Sequence, residues 1–160
     1  MNSMHGIPFE RCETVRVGFI GVGGRGRSLL HEMVACDGVQ VTAIADMGAD
    51  AVNKAVDLVT TAGQPTPNTF SGDDSWRHLL DIDLDLVLVA TPWTTHTPYA
   101  VAAMEAGKHV AVEVPVATTI EECWQLVETS ERTRRHCIML ENCCYDYWET
   151  LVKRMVVAGL

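Results

Sequence analysis

No apolar run in the 160-residue chain approaches the roughly 18 residues that a membrane span needs. Met1 to Thr14 also lacks the apolar stretch and small-residue cleavage site of a secretory leader, so the expectation is a soluble, cytoplasmic protein. Basic residues are scarce. Twelve Lys and Arg against 21 Asp and Glu leave a formal net charge of -9, the wrong sign for neutralising a phosphate backbone over a broad surface. Neither nucleic acid nor membrane is an expected partner.

Cysteine is present but without a metal-binding pattern. Cys12, Cys36, Cys123, Cys137, Cys143 and Cys144 include no C-x-x-C pair and no Cys/His cluster of zinc spacing, so no metal is expected. Several lie in apolar segments and read as reduced core thiols. The adjacent pair Cys143-Cys144 is unusual, but alternating side-chain directions oppose an easy disulfide. Internal linkers, repeats and low-complexity segments are missing too, and the length suits one domain.

What the chain does contain is alternation. After a polar leader over residues 1–14, Val15 to Ile20 is a short β-branched apolar run that stops at glycines, as a buried parallel strand should. Helical spacing follows in Leu29, Leu30, Met33 and Val34, until Asp37-Gly38 breaks it. Val39 to Ala45 reads as a second strand ending at Asp46, and Val52, Ala55, Val56 and Val59 mark a second helix. Gly63 to Asn68 has loop chemistry, and Asp73-Asp74 are placed to cap a short helix carrying Trp76, Leu79 and Leu80.

Leu84 to Ala90 reads as the next central strand. Thr97-Pro98 opens a helix closed by Gly107, and His109 to Glu113 forms a further strand. Thr118 with Glu121 matches a capping box for a helix with Ile120, Cys123, Trp124 and Val127 on one face. Cys137 to Leu140 is a sixth short strand, and Trp148, Leu151, Val152, Met155 and Val156 mark a last helix ending near Gly159. This order implies an α/β fold, a doubly wound parallel sheet over residues 15–160.

The strongest motif is Gly21-Val22-Gly23-Gly24-Arg25-Gly26, a G-x-G-x-x-G directly after a predicted strand and opening a helix. Gly21 makes the turn, Gly23 lets backbone approach a pyrophosphate, and Gly26 lets helix pack on strand. The helix N-terminus adds free N–H groups and partial positive charge. Twenty residues after Gly26, Asp46 ends the second strand, where a carboxylate can accept both adenosine ribose hydroxyls. Its other reading is a helix cap. A 2'-phosphate would meet that carboxylate unfavourably and position 47 is Met rather than Arg, so NAD is favoured over NADP, although Arg25 remains within reach of a phosphate.

Ligands in open α/β sheets lie outside the carboxyl ends of strands. Three further segments therefore become candidates: Ala90 to His96, Glu113-Val114-Pro115 and Glu141-Asn142. The last two sit where a nicotinamide ring is expected. His96 reads equally as a helix N-cap or as a contact to cofactor or substrate.

Taken together, VGFIGVGGRG, the ATPxxxH segment, AGKHVAVEVP and the capped helix after it resemble the N-terminal domain of the glucose-fructose oxidoreductase, inositol dehydrogenase and rhizopine-catabolism (Gfo/Idh/MocA) family, from about Val15 to Leu160. The resemblance implies a Rossmann domain that holds NAD. It also implies a second, C-terminal domain that binds a sugar or polyol and often mediates oligomers; that domain is expected to be absent from this chain. Many members carry Glu-Lys-Pro after the fifth strand, the lysine assisting proton transfer. Here Val114 occupies that position and cannot exchange a proton.

Glu-Val-Pro, with TIEECWQLVE and IMLENCCY, is similar to glycoside hydrolase family 109, the NAD-dependent α-N-acetylgalactosaminidase group. Carried over by position, that likeness implies NAD contacts at Gly24, Arg25, Asp46, Trp93, Thr94, Thr95, His96, Glu113, Val114 and Asn142, beside Gly21, Gly23 and Gly26. Thr94-Thr95 replaces the Glu-Trp of the group's Trp-Glu-Trp-His segment. The implied chemistry moves a hydride from sugar C3 to the cofactor, eliminates the glycosidic group, adds water and returns the hydride, with no net redox. Its acid–base groups are expected largely on the second domain, so no catalytic residue is assigned. A net sugar or polyol oxidoreductase is the alternative, and a truncated NAD-binding module without turnover is a third reading. A Rossmann half alone would expose an apolar patch, so self-association, as a homo-oligomer, is expected.

Overall fold

Val17 and Phe19 turn to one side of their strand and Ile20 to the other, and all three are buried. A strand covered on both faces has to be apolar throughout, which is why VRVGFI does not alternate. The computed structural model describes residues 3–144 and 146–160. Met1 and Asn2 of the leader, and Tyr145 at the end of the IMLENCCY segment, lie outside them.

The elements follow in strict alternation: β1 (Val15–Ile20), α1 (Gly24–Val34), β2 (Val39–Asp46), α2 (Ala49–Thr61), β3 (Asn68–Ser71), α3 (Ser75–Leu80), β4 (Leu86–Val89), α4 (His96–Glu105), β5 (His109–Glu113), α5 (Ile120–Thr133), β6 (Cys137–Leu140) and α6 (Tyr147–Val157). The six strands form one sheet in the order β3-β2-β1-β4-β5-β6. Every pairing is parallel. The order reverses between β1 and β4, and this switch point opens a crevice at the carboxyl ends of the strands. The expected doubly wound α/β fold is thus present.

Two cores flank the sheet. Phe19, Val41, Ile44 and Leu88 face α1 and α2, meeting Leu30, Val52, Ala55 and Val59. Ile20, Val87, Val89, Val110 and Val112 face the other layer, meeting Leu79, Ala100, Ala103, Met104 and Leu126. Each fully buried Val, Leu or Phe contributes about 1.5–3 kcal/mol relative to exposure. Arg16 fixes the amino ends of β1 and β4 together. Its guanidinium donates to Asp85 Oδ1 at 2.7 Å and also pairs with Asp83, and its backbone N–H donates to Asp85 Oδ2 at 2.7 Å. The guanidinium holds the Asp85 carboxyl below the usual range. The leader packs across the same end, with the Phe9 ring 4.0 Å from that of His136 and 5.0 Å from that of His109.

Several expectations need correction. The stretch read as loop runs into β3, four residues of edge strand (NTFS) with no apolar run to announce it. Because β3 pairs only with Ala43 to Asp46, the open edge at the start of β2 is completed by a side chain: Gln64 accepts from Val41 N at 2.8 Å and donates to Val39 O at 3.0 Å. The capping box is one residue later than expected. Thr119 accepts from Glu122 N, and Glu122 reaches back to Thr119 N and to both Thr118 donors, which holds its carboxyl below the ordinary range. Asp74 is the N-cap of α3 but makes no capping bond, because its carboxylate is engaged by Arg77 Nε at 2.9 Å.

The apolar face of α5 is the largest departure. Leu126, Thr129 and Ser130 are its buried positions, while Ile120, Cys123, Trp124 and Val127 are exposed. α6 buries no residue at all. The cysteines are likewise not core thiols. All six are free, five are exposed, and only Cys137 on β6 is partly covered, its thiol pushed up to about 11 by burial.

Candidate functional site

The turn that joins β1 to α1 is shaped by contacts only glycine permits. Gly21 takes φ +87°, and a Cβ there would lie 2.7 Å from the carbonyl oxygen of Ala90, just past the end of β4. A Cβ on Gly26 would collide with the carbonyl oxygen of Gly21. Both are buried, so helix and strand approach as closely as the backbone allows. Gly23 and Gly24 differ: a Cβ on either meets nothing within 4 Å. Their missing side chains leave space facing outward, at the first turn of α1, where the N–H groups lack intrahelical partners.

Asp46 braces this turn from the end of β2. Its Oδ2 accepts from Val22 N at 2.8 Å and its Oδ1 from Gly48 N at 2.9 Å. The cap position of α2 belongs to Gly48. Asp46 therefore links two loops, and each oxygen keeps a lone pair for a further donor. Gly21, Gly23 and Asp46 line one cleft of about 290 Å³, shared with Met47, Asp73, Trp76, Pro92 and Tyr99.

The segment after β4 makes a single 3₁₀ turn over Trp93–Thr95. Trp93 and Thr94 are exposed and make no side-chain hydrogen bond among the described residues. The Thr95 hydroxyl lies 2.7 Å from both Thr91 Oγ1 and Pro92 O. Thr95, not His96, holds the N-cap position of α4. His96 is the first helical residue, 1% exposed, with Nδ1 2.7 Å from Pro115 O and Nε2 2.7 Å from Thr91 O. Its ring ties the loop after β4 to the loop after β5, so any part it takes in holding a ligand is through position.

The ends of β5 and β6 are joined to the glycine turn by Arg25. Its Nε donates to Glu113 Oε1 at 2.7 Å and its terminal nitrogen to Asn142 Oδ1 at 2.6 Å. Glu113 is 7% exposed, so this ion pair supplies the counter-charge that a buried carboxylate requires. Three residues far apart in sequence thus meet over the crevice, and Arg25 is turned toward β5 and β6 rather than toward Asp46. Val114 follows Glu113, half-buried, with a cis bond to Pro115. It offers no exchangeable proton. The Glu141 carboxylate accepts from Asn142 N at 2.9 Å and holds that loop.

Residues 15–141 match the sequence profile of the oxidoreductase family with an NAD-binding Rossmann fold (GFO_IDH_MocA). The chain belongs to that family. It is 56% identical over 160 residues to a glycosyl hydrolase family 109 protein of Saccharopolyspora erythraea, a match covering 99% of this chain and 35% of the relative. It is 46% identical to an alpha-N-acetylgalactosaminidase of Bacteroides fragilis, covering 97% of this chain and 37% of that protein. The chain therefore spans just over a third of the length of these curated relatives. The fold matches a WlbA dehydrogenase of Bordetella pertussis, solved with NADH and UDP-GlcNAcA, with a TM-score of 0.80 at 22% identity, over 91% of this chain and 42% of that one.

As an NAD-binding domain of this family, the chain has residues that fit the cofactor. Gly23 and Gly24 leave open space at the helix start that a pyrophosphate would fit, and Asp46, which lines one cleft with Gly23, has carboxylate oxygens that could accept from ribose hydroxyls. Beyond Asp46 the cleft is walled by residues the sequence did not single out for binding. The rings of Trp76 and Tyr99 stack at 4.7 Å, and the Arg77 guanidinium lies 4.4 Å over Trp76. Burial raises the Tyr99 phenol above its ordinary value; Arg77 opposes this and Asp73 adds to it. In the sequence Trp76 is simply one of the residues carried by a short helix, and Tyr99 lies on a helix without a binding motif. No signal in the local sequence marks either as part of this cleft.

Proposed function

We propose that this chain is the cofactor-holding part of a sugar-cleaving enzyme of the family 109 type, in which NAD is recycled rather than consumed. The observation that carries this reading is Val114. An aliphatic side chain stands directly after the buried, Arg25-paired Glu113, at the strand end where a redox enzyme of this family would hold a proton-carrying lysine. The names of the relatives from Saccharopolyspora erythraea and Bacteroides fragilis support the same reading.

In this account the turn Gly21 to Gly26 seats the pyrophosphate, Asp46 takes the adenosine ribose, and Arg25, Glu113 and Asn142 border the nicotinamide half. Trp93, Thr94, Thr95, His96 and Val114 line or support that half from the loops after β4 and β5. Bound NAD would supply a transient hydride acceptor, which makes the neighbouring sugar proton acidic enough to remove. The proton-transfer groups are proposed to lie on a second domain within the remaining length of the relatives. The exposed apolar stripe Ile120, Trp124 and Val127, with the uncovered face of α6, supports packing of that domain here. The small-molecule substrate is proposed as an α-N-acetylgalactosaminide. A reducing cytoplasmic setting suits six free thiols.

A protein of the relatives' length carrying this chain is expected to release p-nitrophenol from p-nitrophenyl α-N-acetylgalactosaminide only when NAD is bound, without net formation of NADH. Absence of release from a panel of aryl glycosides would overturn the proposal. The family's description as oxidoreductases favours a second reading, net oxidation of a sugar or polyol. That reading predicts NADH accumulating in step with substrate consumed.

A further inference from the structure

The order of groups along a dinucleotide is fixed: pyrophosphate, then ribose, then base. With the pyrophosphate at the glycine turn and the ribose at Asp46, the base falls in the stretch of cleft lined by Met47, Asp73, Trp76 and Tyr99. That stretch is preformed. Asp74 holds Arg77 at 2.9 Å, Arg77 covers one side of Trp76 at 4.4 Å, and Tyr99 stacks on Trp76 at 4.7 Å, so the wall keeps its shape without a ligand. Met47, 67% exposed beside Asp46, supplies an adaptable apolar surface.

The two neighbouring carboxylates are used differently. Asp74 is committed to Arg77, whereas Asp73 lines the cleft and makes no hydrogen bond or ion pair among the described residues. A carboxylate only accepts hydrogen bonds, and the exocyclic 6-amino group of adenine only donates them here. We propose that Asp73 reads the adenine of the cofactor by accepting its 6-amino group, making this end of the cleft selective for an adenine dinucleotide over its 6-oxo counterpart. The inference rests on the NAD reading of the cleft. A hypoxanthine base would turn a carbonyl oxygen toward the Asp73 carboxylate, acceptor against acceptor, so the hydrogen bond made with adenine is lost.

Titration calorimetry of the 160-residue chain with NAD and with nicotinamide hypoxanthine dinucleotide tests this. The unaltered chain is expected to bind the hypoxanthine form roughly tenfold more weakly. In Asp73→Asn the side-chain amide can donate or accept, so the two affinities should converge to within about twofold. A purely structural role for Asp73 would lower both affinities together and keep their ratio. Equal binding of the two dinucleotides by the unaltered chain, or an undiminished preference in Asp73→Asn, overturns the assignment while leaving NAD binding itself intact. Binding of neither dinucleotide overturns the NAD reading and the assignment with it.

Discussion

Gly23→Ala is expected to weaken NAD binding about 100-fold while costing no more than about 1 kcal/mol of stability. The two effects separate because a Cβ at position 23 meets nothing within 4 Å in the protein, yet it projects from the helix start where a pyrophosphate must approach. The stability cost is that of alanine at an N-cap, the position Gly23 occupies at φ -62°, ψ -157°. Gly26→Ala should behave differently. Its Cβ would collide with the Gly21 carbonyl oxygen, a backbone atom that cannot step aside, so α1 must move off β1 at a cost of about 1–3 kcal/mol. Binding and stability then fall together. Urea unfolding and calorimetry on both variants make the comparison. A Gly23→Ala chain that binds NAD normally would show that the cofactor does not approach this turn.

The second large effect is expected at Arg25. Removing its guanidinium strands the Glu113 carboxylate, 7% exposed, without a counter-charge. Breaking a fully buried ion pair costs about 3–5 kcal/mol. Arg25 is itself 47% exposed, so solvent screening reduces the expected loss to about 1–2 kcal/mol. Most of that loss is the stranded charge, so adding Glu113→Gln to Arg25→Ala should restore about 1 kcal/mol, since a neutral amide is cheaper to bury. Unfolding of the four proteins of this double-mutant cycle measures the coupling. Additivity within about 0.3 kcal/mol would mean that the 2.7 Å pair contributes nothing.

The parts of the fold with a periodic or continuous apolar signal were legible in the sequence. β1, β5 and β6 begin and end where the sequence pattern sets them, and the glycine turn with Asp46 is legible in the sequence because the β1-to-β2 unit is local. β3 was not legible: an edge strand of four residues, mostly polar, is held by pairing with β2 rather than by its own burial. The outward face of α5 shows a different limit. Periodicity identifies an apolar stripe but not what covers it, and in this chain α5 packs beside α4 while burying Leu126, Thr129 and Ser130 instead.

The candidate site divides along the same line. Gly21, Gly23, Gly26 and Asp46 follow from short-range geometry. Arg25 meeting Glu113 and Asn142 depends on partners 88 and 117 residues away, and His96 bridging Thr91 and Pro115 depends on two loops brought together by β4 and β5. Spacing along the chain cannot reveal such contacts; only the parallel pairing of the strands creates them. Trp76 and Tyr99 illustrate the same point, for an aromatic on a helix looks like core until the neighbouring helix supplies the other half of the stack.

Comparative calorimetry of the 160-residue chain with NAD and NADP tests most directly whether the glycine turn and Asp46 together form a site for NAD. Both Asp46 oxygens already brace the turn and the next loop, so on the proposed reading the carboxylate is held where a 2'-phosphate would have to sit. The account predicts binding of NAD, with NADP at least about tenfold weaker. Equal or tighter binding of NADP, or no binding of NAD, would contradict it.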